Sequence, residues 1–453
     1  RRRVFAAGIA LFALASAWCG LASSIGQLVA ARGLQGLGAA VLVPNSLALI
    51  GATIAPERKG RAVGTWSAFS ALMMAAGPVL GGWLAQHASW RAVFYINVPL
   101  AAAVIAILYA RVPESAGRRR GASIDALGTA LIVLALGGIV FGLIESSNLG
   151  WAHPAVFGSL GAGVAALGAF LAVEARAAHP MLPLGLFRSR TFAGANLLTL
   201  FLYGALSGTL FFLPFNLLQV QGYSATAAGA AFLPFSALLF LLSRWSGGLA
   251  DRIGIRPPLV AGPALAAAGM ALFAFPGLGG PYWTTFFPAV AVLGLGMAVT
   301  VAPLTTSVLQ AVDTENTGAA SGVNNAVSRV AGLVVIALLG VLMVRIFTGS
   351  LDRRLADLPL PAGDGQEILA ASTQLAALRM PSGMEPAVEA AVRRAVAESF
   401  VDGYRAVMLI CAALALAAAG SAWALVRRPA PSQEAAAAPL LPAPERARDP
   451  IAS

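Results

Sequence analysis

The sequence predicts an all-α protein built into a membrane, and three observations carry that expectation. Of its 453 residues, 58% are hydrophobic and only 11% are charged, against roughly 25% charged in a soluble domain. Uncharged stretches such as Val4 to Ala31 and Ala92 to Ala110 are long enough to cross ~30 Å of hydrocarbon as helix. The arginines sit in short clusters between apolar stretches rather than on one face, which is how orientation is set in a bilayer.

Hydropathy divides the chain into twelve spans, at roughly 4–23, 28–51, 62–85, 91–110, 124–144, 155–173, 193–218, 226–246, 258–276, 284–304, 318–343 and 405–426. Several contain proline, among them Pro44, Pro78, Pro214, Pro234 and Pro303. Such breaks are tolerated in a membrane and often bend helices beside a cavity. Alternate connections carry the arginines. One side holds Arg1–Arg3, then Arg58, Lys59 and Arg61, then Arg111 and Arg118–Arg120. The same side adds Arg176, Arg188 and Arg190, then Arg244, Arg252 and Arg256, and lastly Arg427 and Arg428. The opposite short loops have almost none, apart from Arg91. The arginine side is therefore expected to be cytoplasmic, with both termini on it, in the cell membrane. The connection at about 344–404 also carries arginines and faces the other way, which a long loop can do regardless of charge. Within it PAVEAAVRRAVAESF reads as an amphipathic helix. The Ala/Pro-rich tail after Arg428 reads as disordered.

Composition also excludes function classes. The net charge of +11 has no single basic face, so no nucleic-acid partner is expected. Cys19 and Cys411 both lie in apolar spans and give no disulfide framework. The three histidines, His87, His153 and His179, stand near span ends without metal-ligand spacing. No Ser/His pair, paired Asp or H-E-x-x-H stands within a span, so neither an enzyme nor a cofactor is expected. A weak internal repeat is present: PERKGRAVGTWSA after the second span is similar to DTENTGAASGVNNA before the eleventh. Parallel repeats of this kind suit a transporter made of two halves.

The strongest local signal is Gly77-Pro78-Val79-Leu80-Gly81-Gly82. Gly77 and Gly81 are four apart and share a helix face, which lets another helix approach closely. Pro78 removes a backbone donor and favours a bend. On these residues alone the segment is either an ordinary small-residue seam or a functional element. With its continuation, AAGPVLGGWLAQHASWRAVFYINVPLA resembles the antiporter motif and following helix of the 14-helix drug:proton antiporters of the major facilitator superfamily. VAARGLQGLGAAVLVPNSLALI resembles the fourth helix of that family. In it Arg32 either snorkels to the interface or, as the resemblance implies, serves the proton or substrate pathway with Gln35 beside it.

GGLADRIGIRPPLV is similar to the second-half copy of the superfamily's cytoplasmic gating loop, and Gly247, Leu249, Ala250, Asp251, Arg252, Gly254 and Arg256 all fit its pattern. There Asp251 can accept from helix-end amides and from arginine, holding two helices together. Laid on that loop, Arg1–Phe5 falls inside its first-half copy, so two preceding helices are expected to be missing. FFLPFNLLQVQGYSATAAGAAFLP and SGVNNAVSRVAGLVVIALLG resemble the seventh, eighth and eleventh core helices. Asn216, Gln219 and Gln221 either line the substrate cavity or sit at the interface. Asn324, Asn325 and Arg329 lie in or close to the membrane, and Arg329 is expected to face protein rather than lipid.

The resemblance implies a two-bundle fold with two extra central helices, about twelve of fourteen helices being present. It divides the chain into the remainder of the N-terminal bundle (1–115), the central pair and linker (116–190) and the C-terminal bundle (191–343). The long loop (344–404), the last helix of that bundle (405–427) and the tail (428–453) follow. The implied function is export of hydrophobic or cationic small molecules in exchange for protons. An endogenous metabolite or antibiotic is the alternative cargo, and a non-functional fragment the remaining reading. The implied partners are the substrate, protons and the bilayer; an envelope adaptor is left open. No Asp or Glu lies deep in a span, so no residue here is assigned to proton coupling.

Overall fold

This computed structural model describes residues 2–53, 73, 76–114, 125–177, 180, 182–313, 316–360, 363–378 and 384–426. The basic connections at Arg58–Arg61 and Arg118–Arg120, and the tail, lie outside the described residues. Among the described residues every regular element is helical. That is what the bilayer demands, because a helix satisfies its own backbone donors and acceptors where no water is present.

The chain runs α1 (Arg2–Leu21), α2 (Ile25–Thr53), α3 (76–87), α4 (Ala92–Tyr95), α5 (Asn97–Arg111), α6 (Ala126–Leu149) and α7 (Pro154–Glu174). A 3₁₀ turn at Leu184–Arg188 leads to α8 (Arg190–Phe215), which passes directly into a π-helical turn, Asn216–Val220. Then follow α9 (Ala225–Ala230), α10 (Leu233–Ile253), α11 (Arg256–Leu272), α12 (Tyr282–Thr285) and α13 (Phe287–Gln310). The last elements are α14 (Thr317–Ala356), α15 (Asp364–Ala370), a 3₁₀ turn at Ser372–Ala377 and α16 (Pro386–Leu425). Among the described residues, ten stretches are long and apolar enough to cross a membrane. α11, at 17 residues, is slightly shorter.

The starts of these helices are written locally. Asp125 accepts from the Gly128 amide at 2.7 Å, and Ser189 and Ser224 do the same for α8 and α9, each satisfying one of the orphan donors of a first turn. Proline opens α7, α10, α11, α13 and α16, where a missing N–H costs nothing. Inside α8, Pro214 removes a backbone donor two residues before the π turn. A ladder broken in this way is re-formed with a wider repeat.

α8, α10, α11, α13, α14 and α16 share one continuous core running from Phe192 to Val426. α1 packs on α2, α4 and α5, while α6 pairs with α7 and leans on α14. Glycine brings the helix axes together. A Cβ at Gly296 would stand 2.7 Å from the Gly262 carbonyl oxygen, and one at Gly269 only 2.5 Å from the Leu293 amide, so α11 and α13 touch backbone to backbone. Gly138 and Gly163 do the same for α6 and α7.

The helices α14 and α16 run well past the span ends expected at 343 and 405. Each has 40 residues, about 60 Å of helix against ~30 Å of hydrocarbon. Their extensions pack Phe347, Leu351 and Leu355 against Val392, Val396 and Phe400. The pair is also latched by charge. Arg354 meets Asp402 at 2.8 Å and Glu398 at 3.2 Å, and Ser350 donates to Asp402 at 2.6 Å. Local hydropathy ends each span where polar residues appear, but a second amphipathic partner lets the helix continue into water.

Substituting Gly296 by leucine is expected to destabilise the protein by about 1–3 kcal/mol through overpacking, seen as a lower unfolding midpoint of the purified protein in detergent. Gly420, where an added Cβ meets nothing within 4 Å, should accept alanine with no loss or with a gain of about 0.5–1 kcal/mol.

Candidate functional site

The G-P-x-x-G-G segment lies on α3 and meets the opposite half of the molecule. The touching face is not the one that the Gly77–Gly81 spacing suggests. Among the described residues, a Cβ at Gly77 or Gly81 meets nothing within 4 Å. The contact is made one position on, by Pro78, Gly82 and Gln86, which are spaced four apart along one face. A Cβ at Gly82 would overlap the Ala225 carbonyl, its carbon lying 2.8 Å away, and one at Gly229 would stand 2.7 Å from the Pro78 carbonyl carbon. Gln86 closes the rim: its Oε1 accepts from the Thr226 hydroxyl at 2.7 Å and from the Thr226 amide at 3.2 Å. The seam thus joins α3 to α9, two elements more than 130 residues apart in sequence. The physical reason for the correction is helix phase. Spacing of four identifies a stripe, but not which stripe faces a neighbour.

On α2, Arg32 and Gln35 form a unit. Arg32 Nη1 donates to Gln35 Oε1 at 2.7 Å, and the guanidinium carbon lies 6.0 Å from the Phe94 ring centre. Gln35 is buried and also accepts from the Cys19 thiol at 3.8 Å. Arg32 itself is exposed, with this hydrogen bond tethering its guanidinium to the buried Gln35.

The two asparagines of α14 differ in role. Asn324 donates to Thr199 at 2.6 Å and to Asn196 at 3.3 Å, tying α14 to α8. Asn325 turns back on its own helix, donating to the Ser321 carbonyl, and shares an exposed face with Arg329 one turn on. Arg329, expected to face protein rather than lipid, is exposed and forms no hydrogen bond or ion pair among the described residues. A guanidinium on an apolar helix needs water or a partner.

Asn216, Gln219 and Gln221 also separate. Asn216 is 1% exposed and accepts from Gln221 Nε2 at 3.1 Å. Gln221 in turn bonds the Gly277 carbonyl and the Gly279 amide, each at 2.9 Å. These two residues fasten the end of α8 to the turn before α12. Gln219 lines an apolar cavity beside α6 and α14, with its Oε1 buried and without a partner.

The segment expected as a gating loop is helical up to Ile253, and Gly247 and Asp251 fall in the last turns of α10; the Asp251 side chain lies outside the described residues, so the expected carboxylate clamp does too. Arg252 ends α10 in an exposed position. Gly254 follows at φ +83°, ψ 166°, a conformation open essentially to glycine alone. Arg256 begins α11, donates to the Trp423 carbonyl and lies 5.8 Å from the Trp423 ring centre, joining this turn to the end of α16. The sequence reading missed the Gln86–Thr226 link and the Arg354–Asp402 latch. Both join residues far apart in the chain, and no local spacing encodes them.

The chain matches the Major Facilitator Superfamily over residues 1–336. It belongs to that superfamily. It is a multi-pass membrane protein with the superfamily's helical fold. It is 33% identical over 357 residues to the multidrug resistance protein Stp of Mycobacterium tuberculosis, covering 78% of this chain and 66% of that protein. It is 32% identical over 428 residues to the tetracenomycin C resistance and export protein of Streptomyces glaucescens, covering 93% and 78%. Among solved structures, a bacterial homologue of the human lysosomal transporter Spinster superposes with a TM-score of 0.62 at 18% identity, over 95% of this chain and 85% of that one.

The seam gives a direct test. Gly82→Val puts a side chain into the Ala225 carbonyl, so the halves must separate there. A cysteine placed at Thr226 should then react several-fold faster with a membrane-impermeant thiol reagent, whereas Gly77→Val should leave that rate unchanged. Native Cys19 and Cys411 are buried.

Proposed function

We propose that this chain is the body of a secondary-active exporter of hydrophobic or cationic small molecules, driven by proton antiport through alternating access. The observation that carries it is the α3–α9 seam. Two halves of a transporter that rock about a central site need a closure that is tight yet separable. Pro78, Gly82 and Gln86 against Ala225, Thr226 and Gly229 supply one: backbone contact without interlocked side chains, rimmed by two exposed hydrogen bonds. Such bonds exchange readily for water and so cost little to break.

The charges support the same reading. Arg32 and Arg329 both stand exposed in apolar helices, Arg32 with a hydrogen bond to the buried Gln35. A charge in that setting faces a hydrated path or a partner rather than lipid. The arginine-rich connections support a cell-membrane protein with those connections in the cytoplasm. Relatives named for drug or antibiotic resistance agree with a drug-like cargo. The Streptomyces relative is named for resistance to and export of tetracenomycin C, which favours a natural product as the second reading of the cargo.

Cells expressing the full-length gene should retain ethidium several-fold less than control cells, and a protonophore should remove the difference. Arg32→Leu, which strips the partner from the buried Gln35, should lower the efflux rate at least tenfold with membrane expression unchanged. Equal retention with and without expression across a broad dye and antibiotic panel would overturn drug export.

A further inference from the structure

Beside the central helix pair the structure holds a cavity of 480 Å³, away from the α3–α9 seam. Its size falls within the ~300–1,000 Å³ of small-molecule pockets. α6, α8 and α14 wall it, and the 3₁₀ turn at Ser372–Ala377 covers one end. Ile144, Phe211 and Leu333 line it and are each about half exposed, at 53%, 42% and 51%. Among the described residues the cavity is thus open on the side where these apolar side chains stand, between spanning helices. Polar groups gather only at the covered end, which is the end opposite the arginine-bearing connections.

Two features at that end lack a structural explanation. The Oε1 of Gln219 is buried and accepts no hydrogen bond. A buried acceptor left unmatched costs free energy, which a ligand carrying a donor can recover. Leu375, also in the lining, holds φ 55°, ψ −136° and is the sole non-glycine residue at positive φ among the described residues. Strain of this kind on a side chain covering a cavity is a mark of ligand clamps. A third observation shows room to spare: a Cβ on Gly340, in the α14 wall, meets nothing within 4 Å.

We infer that this cavity is a binding site for an amphiphile with one aliphatic chain and an N–H-bearing head, entered sideways from the bilayer. The chain lies between Ile144 and Leu333, and the head donates to Gln219 Oε1 beneath Leu375. A quaternary ammonium head of equal charge has no N–H to give, so the site separates the two. The same chemistry occurs in an aminophospholipid and in an amphiphilic amine drug. The site is independent of the export reading and does not require transport of its ligand.

The test uses the full chain in nanodiscs of phosphatidylcholine and a dodecylamine with a photoreactive group in its chain. Adducts located by mass spectrometry should concentrate on the cavity lining. Unlabelled dodecylamine should displace the probe at about one-tenth the concentration that dodecyltrimethylammonium needs. Gln219→Leu, which removes an unmatched polar group and so should fold, is expected to abolish that preference while adducts persist. Gly340→Leu, which fills the space, should remove the adducts. A lower adduct yield on adding phosphatidylethanolamine to the nanodiscs would identify a lipid as occupant. An unchanged yield would identify a free amphiphile, and both outcomes keep the N–H requirement. Adducts spread evenly over lipid-facing residues and indifferent to Gly340→Leu would overturn the proposal, as would equal competition by the two detergents on the unaltered chain.

Discussion

In a bilayer, apolar side chains gain little by turning from lipid to protein, so helices are held together by close packing and hydrogen bonds. Every larger feature of this protein depends on that constraint. Where helices are bound permanently, glycines lie face to face: Gly262, Gly269 and Gly296 between α11 and α13, and Gly138 and Gly163 between α6 and α7. Between α3 and the short α9 the same device is used sparingly among the described residues: Gly82 and Gly229 make the close approach, and the polar rim is a single side-chain acceptor, Gln86 Oε1.

The 40-residue helices α14 and α16 solve a different problem. Their polar continuations would be unstable as lone helices in water. They persist because each gives the other an apolar stripe and a charge latch at Arg354. The latch is only partly buried, so it adds little stability and mainly fixes register. The extended pair also anchors the 3₁₀ turn that carries Leu375, whose neighbours belong to the same core. A region that hydropathy reads as a long loop thereby becomes a scaffold over one end of the membrane domain.

Much of this was legible in the chain. The helical character and order of most apolar spans, the amphipathic character of 386–400 and the turn at Gly254 follow from local rules, because hydropathy and backbone conformation act over a few residues; of the twelve spans expected, ten reach spanning length among the described residues. The family was legible from G-P-x-x-G-G and the loop from Gly247 to Arg256, since both are dense patterns with few chance matches. The roles of individual polar residues were not. Asn216 and Gln219 stand three apart, yet one is tied to Gln221 and the other is left facing a cavity. The π turn that begins at Asn216 changes the residues per turn, and with them the face on which each side chain falls.

By itself, the sequence determined that the chain crosses a membrane as helices, and where most of those helices begin, because uncharged stretches of about twenty residues match the bilayer as helix and satisfy their own backbone there. Tertiary structure alone decided which face of α3 meets α9, that Arg329 is exposed rather than packed, and that Gln219 has no partner. Each of those depends on the rotation of one helix against another. In a membrane that rotation is set by close contacts between distant residues, because the apolar surroundings look nearly the same from every side.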